Sequence, residues 1–293
     1  MSALQARVRG LTILAALGGI GLVCLYIVFV RTPIGQRWDD RALLGGLLAS
    51  DEARRALTSA LHGIRISTLI LMLVLLVAIS LVRRTLIIGI GAALAFGGAV
   101  ISAEVLKRVL PRRDLAPELN AYVDKGNIDT YPSGHSTIAM GFALALIVVS
   151  SPRVRTAVAA FGMAWAAAVP MATLAAGWHR PSDVVGGMAL SLMWLAGATA
   201  FAVRRVGSVG PNPRWTRLLP LIGVGVLVGV AACLLVWVIA GDPQAVPVGG
   251  GLLAFISAQA LIALTAIVVA SAFTYVLRGL SFQRHRSGSP VAA

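Results

Sequence analysis

The chain has 293 residues, 58% of them hydrophobic and 12% charged, with a formal net charge of +14 at pH 7. Soluble domains carry about 25% charged residues, so this composition, with a mean hydropathy of +0.88, excludes a soluble globular enzyme, a disordered protein and a disulfide scaffold. It points to an all-α integral membrane protein, because the apolar runs are continuous and long rather than short and alternating as in a membrane barrel.

Eight runs are predicted to span: 11–30, 66–82, 85–106, 135–149, 157–178, 184–203, 218–240 and 252–277. The first follows Arg7 and Arg9, like a signal peptide. Its apolar run is too long for one and no small-x-small site follows it, so it reads as an uncleaved anchor. Of the connecting segments, 31–65 is long and mixed in charge, and within it 38–48 and 52–64 are expected to be short amphipathic helices on the membrane surface. Segment 107–132 is polar, 178–183 is very short, and 241–251 is rich in Gly and Pro. The triplet at 249–251 lacks the Lys-Ser/Thr of a phosphate loop and reads as a turn. Cys24 and Cys233 both sit in apolar runs, so no structural disulfide is expected.

Charge sets the expected orientation. With the N-terminus cytoplasmic, the inner segments hold Arg7, Arg9, Arg83, Arg84, Arg153, Arg155, Arg204, Arg205, Arg214, Arg217, Arg278, Arg284 and Arg286, while all 11 acidic residues fall elsewhere. The basic excess is thus the signature of topology rather than of nucleic-acid binding. It places both termini in the cytoplasm and the chain in the cytoplasmic membrane.

Three clusters carry chemistry, and this topology puts all of them on the outer face. The run Tyr131-Pro132-Ser133-Gly134-His135 opens a helix, where free backbone N–H groups and the helix dipole favour an anion. Gly134 admits close approach, and His135 adds a titratable donor; an ordinary N-cap is the alternative. In His179-Arg180-Pro181-Ser182-Asp183 the histidine and aspartate are four apart. A carboxylate there can fix the tautomer and leave the other imidazole nitrogen as nucleophile or base. Lys107-Arg108-Val109-Leu110-Pro111-Arg112-Arg113 is either a phosphate clamp or a collar for lipid headgroups. Together the clusters suit phosphoryl transfer through a phosphohistidine. No carboxylates or histidines have metal-ligand spacing, so no metal or other cofactor is expected. Glu104 reads as an ion-pair partner of Lys107 or Arg108. His62 and His285 read as surface residues, and Gly225-x3-Gly229 as a common helix-packing pair.

In these residues the chain resembles the phosphatidic acid phosphatase type 2 superfamily, over about residues 30–205. The resemblance rests on Lys107 with Arg112-Arg113, on Pro132-Ser133-Gly134-His135, and on His179-x3-Asp183. It implies a six-helix core, with His179 as nucleophile, Asp183 as its orienting partner and His135 as proton donor to the leaving oxygen. Lys107, Ser133, the Gly134 backbone and an arginine, Arg112 or Arg113, would hold the phosphate. The chain departs from the pattern in two places: Asp114 stands where the first motif has an arginine, and Ala172-Thr173 stands where the third has Ser-Arg. Arg180 is the expected replacement for the missing arginine.

The expected protein is therefore a six-helix phosphatase-like core, 1–205, with an interfacial segment about 32–63. Two further helices and a basic cytoplasmic tail follow in 206–293. The expected activity is metal-independent hydrolysis of a lipid phosphate or diphosphate in the outer leaflet. Polyprenyl diphosphate is the first choice of substrate, and phosphatidate or phosphatidylglycerophosphate the second. The partners are that substrate and the membrane lipids. A lipid phosphotransferase, a non-catalytic relative and a transporter are the alternatives.

Overall fold

A computed structural model describes residues 2–48, 50–119, 130–210 and 250–282. Among these, regular structure is helical apart from one two-residue antiparallel pairing, Ser208–Val209 with Leu280–Ser281. Helix α1 spans Ala3–Leu25 and continues as a wider turn through Tyr26–Val30. Then come α2 (Pro33–Leu44), α3 (Asp51–His62), α4 (Ile66–Val82), α5 (Leu86–Val109), α6 (Gly134–Val149), α7 (Arg155–Ala175), α8 (Pro181–Val206) and α9 (Gly251–Val276). Local chemistry sets many of the ends. Ser2, Thr32, Ser50 and Ser133 accept backbone N–H bonds as caps, and Pro33 and Pro181 occupy first turns, where proline loses nothing.

Five of these helices are long and apolar enough to cross a membrane: α1 with its extension, α5, α7, α8 and α9. The pair α3 and α4 passes the same test jointly but bends by 52°, and α6 is a shorter apolar helix of 16 residues. Seven of the expected runs coincide with described helices. The run at 218–240 and the basic tail beyond 282 lie outside the described residues.

Helix α6 is the centre of the bundle. Every residue in it except His135 and Leu146 is buried, as a helix that is apolar all round requires, and α4, α5, α7 and α8 surround it. Helix α1 lies along α8, and α9 packs on α7, α8 and α2. Phe255, Ile262, Ala266 and Phe273 of α9 belong to the same core as α6 to α8. Outward, α1 exposes Leu17 and Ile20, α4 Leu71, α5 Leu94, α8 Phe201 and α9 Leu253. Such a belt suits hydrocarbon rather than water.

Two of these contacts were not visible as such in the sequence. Arg155, counted as a charge marking the inner side, is buried, and it donates to the carbonyls of Ile147 (3.2 Å), Ser150 (3.1 Å), Leu277 (2.7 Å) and Leu280 (3.0 Å). With Arg83, which reaches the Val149 carbonyl, it caps the carbonyl ends of α6 and α9, where a cation is favoured. The second is α2, expected on the membrane surface. It buries Gln36, Asp39, Asp40, Ala42, Leu43 and Leu44 against the bundle, because its two aspartates have cationic partners there.

Close approach of α8 to the start of α6 depends on Gly187, where a Cβ would lie 2.5 Å from the Ser133 carbonyl oxygen and 2.9 Å from Thr137 Oγ1. Gly187→Ala should therefore destabilise the protein by about 1–3 kcal/mol, the usual range for overpacking. Gly91→Ala, whose Cβ meets nothing within 4 Å, serves as control. Equal thermal midpoints in detergent would show that this approach is slack.

Candidate active site

One end of the bundle gathers the carboxyl end of α5, the start of α6, the loop from α7 to α8 and the buried face of α2. Ser133 is fully buried and caps α6. Its Oγ accepts from the Ser136 N–H at 3.3 Å and the Ser136 hydroxyl at 3.1 Å, and its own N–H donates to the Asp183 carbonyl at 2.8 Å. The space above Gly134 belongs to Lys107 and Glu104: a Cβ there would lie 3.2 Å from Lys107 Nζ and 3.0 Å from Glu104 Oε1. Lys107 Nζ donates to Glu104 Oε1 at 2.7 Å, the lysine largely covered and the glutamate half exposed. A lysine thus stands over a glycine-opened helix N-terminus, the arrangement expected of an anion site.

The two histidines meet. Their ring centroids are 6.2 Å apart, and Trp178 lies 5.3 Å from the His135 ring and 4.9 Å from that of His62. His179 Nδ1 faces Asp183 Oδ2 at 3.9 Å. That is ion-pair range but not a hydrogen bond, so Asp183 acts on His179 here through its charge. The reason is that Asp183 is already occupied. Its Oδ1 accepts from Arg112 at 3.1 Å, and its Oδ2 accepts from Thr130 at 2.5 Å and from the Arg180 N–H at 3.1 Å. Burial pushes the His179 imidazole down to about 4, with Lys107, His135 and Arg180 adding to the effect and Asp183 opposing it. The ring is therefore neutral at physiological pH, with Nε2 turned away from the carboxylate.

The arginines divide. Arg112 is buried, and its Nη2 donates to Asp39 (3.1 Å), Ser182 (3.2 Å) and Asp183 (3.1 Å). Arg113 is exposed, and its carbonyl accepts from Gln36 at 2.6 Å. The structure thus brings Arg112, and not Arg113, to the site. Arg180 is buried, and its Nε donates to Asp40 at 2.5 Å. Thr173, at the position of the absent arginine, closes the loop instead: its carbonyl accepts from the N–H groups of Trp178 (2.9 Å) and His179 (3.4 Å).

Sequence reasoning missed Asp39, Asp40, Thr130, Ser182 and Trp178. Asp39 accepts from the Ser182 N–H at 3.1 Å and from the Ser182 hydroxyl. Burial pushes its carboxyl up to about 6, against Arg112 and with the help of Asp183. The available signal was the adjacent pair Asp39-Asp40 in a segment otherwise read as interfacial.

Residues 84–206 match the model of the PAP2 superfamily. The phosphatidylglycerophosphatase B proteins of Escherichia coli strain K12, Escherichia coli O157:H7 and Shigella flexneri are each 30% identical to this chain over 107 residues. That match covers 36% of this chain and 42% of each relative, so the chain spans less than half the length of the curated relatives it matches. No solved structure matches. The family segment contains Lys107, Arg112, Ser133, Gly134, His135, His179 and Asp183, which bears out the resemblance read from those motifs. It begins within the turn before α5, so α1 to α4, including Asp39 and Asp40, lie outside it.

The two shifted groups give a signed test. His179 is lowered from 6.5 to about 4, so its contribution to stability is lost as pH falls through that window. Asp39 is raised from 3.8 to about 6, so its contribution is present at low pH and lost as pH rises through 6. The two oppose each other. Relative to wild type, His179→Gln should gain stability at pH 5 compared with pH 7.5, and Asp39→Asn should lose it. Unfolding midpoints with the same pH dependence in both variants would contradict the burial of these groups.

Proposed function

We propose that the chain is a metal-independent membrane lipid phosphatase that cleaves a lipid phosphate or diphosphate on the outer face of the cytoplasmic membrane through a phosphohistidine. The observation that carries this reading is the meeting of a neutral, buried His179 with His135 and with Lys107 over the N-terminus of α6. The names of the related phosphatases support the substrate class.

In this reading Lys107, the Ser133 hydroxyl and the first N–H groups of α6 hold the non-bridging oxygens. His179 Nε2 attacks phosphorus, and the bond to the lipid oxygen breaks as that oxygen takes a proton from His135. Asp183, 3.9 Å from Nδ1, stabilises the positive charge that forms on the imidazole. His135, now neutral, takes a proton from water, which attacks the phosphohistidine, releases phosphate and restores His179. Arg112 and Arg180 act first on Asp183, Asp39 and Asp40, fixing the loop that carries the nucleophile. Positive charge for the transferring group comes from the protein, as electrostatic preorganisation allows. The arginine-rich loops at the opposite end support the outward placement.

Phosphate release from a series of lipid phosphates, measured on detergent-solubilised protein, tests this reading. Activity should survive a strong chelator; loss restored by magnesium would contradict the mechanism. His179→Ala should abolish turnover and any trapped phosphoenzyme. His135→Ala should slow cleavage by about 100- to 10,000-fold, the usual range for general acid catalysis. That loss should shrink for a nitrophenyl phosphate, whose leaving group needs no proton. A defect of equal size for both leaving groups would remove His135 from the role of acid.

A further inference from the structure

Beside the site, α3 and the start of α4, which lie outside the segment that matches the family, border with Ala176 at the end of α7 an open groove of about 720 Å³ whose lining includes Arg54, Arg55, His62 and Arg65. Asp51, which pairs with Arg54, is the acidic residue on the same wall. The groove is tied to the catalytic end in two ways. Leu61 of α3 packs with Ala139 of α6 and Val169 of α7. The His62 ring contacts Trp178 at 4.9 Å, and Trp178 in turn contacts the His135 ring at 5.3 Å. Trp178 thus stands between His62 of the groove and His135 of the site.

Building on the phosphatase reading, we infer that this groove is a second anion subsite, which takes a phosphate-type group while the scissile phosphate sits at His179. Three guanidiniums against one carboxylate leave a cationic surface, and planar N–H forks match phosphate oxygens. The distance decides what kind of substrate profits. Two ring contacts in series are longer than one bridging oxygen, so the second phosphate of a diphosphate does not reach the groove. An anion set off from the scissile phosphate by a spacer of several bonds does. The same chemistry can come from two sources: a second anionic group on the substrate's own headgroup, or the headgroup of a neighbouring anionic lipid, since arginines on an amphipathic helix at the membrane surface attract those.

The test uses the full chain in micelles of a non-ionic detergent and two substrates. One is the phosphate monoester of a long-chain alcohol. The other is a lipid whose terminal phosphate monoester is joined through glycerol to a phosphodiester. If the second anion is the substrate's own, Arg55→Glu and the milder Arg54→Gln should raise KM for the two-anion lipid by about tenfold, the worth of one charged hydrogen bond. kcat should be unchanged, as should both constants for the single-anion substrate. If it belongs to a neighbouring lipid, added anionic lipid should lower KM for the single-anion substrate in wild type and not in Arg55→Glu. Variants identical to wild type on both substrates, with and without anionic lipid, would overturn the subsite. Absence of phosphate release from either substrate by wild type would overturn the phosphatase reading instead. Calorimetric titration with the two-anion lipid would then decide the subsite: weaker binding by Arg55→Glu supports it, and equal binding rejects it.

Discussion

The buried charge cluster of Asp39, Asp40, Arg112, Arg180 and Asp183 is the constraint on which the rest of the site depends. Each of these side chains is almost fully withdrawn from solvent, and an isolated charge in that position would cost several kcal/mol. The cost is tolerable only if every member finds its partners, and the partners lie on four separate stretches of chain. Arg112 joins α2 to α8 through Asp39 and Asp183, Arg180 joins the loop before α8 to α2 through Asp40, and Thr130 closes on Asp183 from the approach to α6. Satisfying the cluster therefore assembles the site: α2 is drawn over the bundle end, and the loop bearing His179 is fixed at both its ends.

This arrangement separates two duties that the motif pattern leaves merged. An arginine near a candidate phosphate site is ordinarily read as a phosphate ligand. Here Arg112 spends Nη2 on two carboxylates and a serine hydroxyl, and Arg180 spends Nε on Asp40. In the proposed reading the groups that face the substrate are the helix N-terminus, its serine cap and Lys107. The ion pair of Lys107 is with Glu104, which is half exposed, and exposed pairs are worth little. A dianionic phosphate can displace such a partner. The same logic explains the lowered His179: a cluster satisfied without it leaves the imidazole desolvated and neutral.

What was legible in the sequence follows from how local each signal is. Ser133, Gly134 and His135 form one helix start, and His179 and Asp183 lie one turn apart, so their spacing alone carries meaning. Lys107 was legible because four cations crowd the end of one helix. Asp39 and Asp40 were not, since their partners lie more than 70 residues away in sequence and an amphipathic segment with mixed charge looks the same whether it rests on a membrane or closes over a bundle. Arg155 has a second duty that its charge alone does not show. Its charge was read as a marker of sidedness, yet the side chain binds four carbonyls in the interior. Composition reports how many charges there are, and only packing reports which of them meet water.

The length of α6 connects the fold to the proposed chemistry. Its 16 residues rise about 24 Å at 1.5 Å each, less than the hydrocarbon thickness of about 30 Å. Its far end is fixed by Arg83 and Arg155 on its last carbonyls. In the proposed reading the shortfall falls at the other end, where Ser133, Gly134 and His135 begin the helix. The neighbours are longer, α5 with 24 residues and α8 with 26, and the Ser133 N–H bond to the Asp183 carbonyl sets the start of α6 level with the first turn of α8. The short central helix thus starts beside the first turn of α8, with Lys107 of α5 standing over its Gly134. In the proposed reading, a helix start held short of the full hydrocarbon thickness lets a phosphate on a membrane-anchored tail meet the histidines without drawing the tail out of the bilayer, which a site raised on a full-length helix would require.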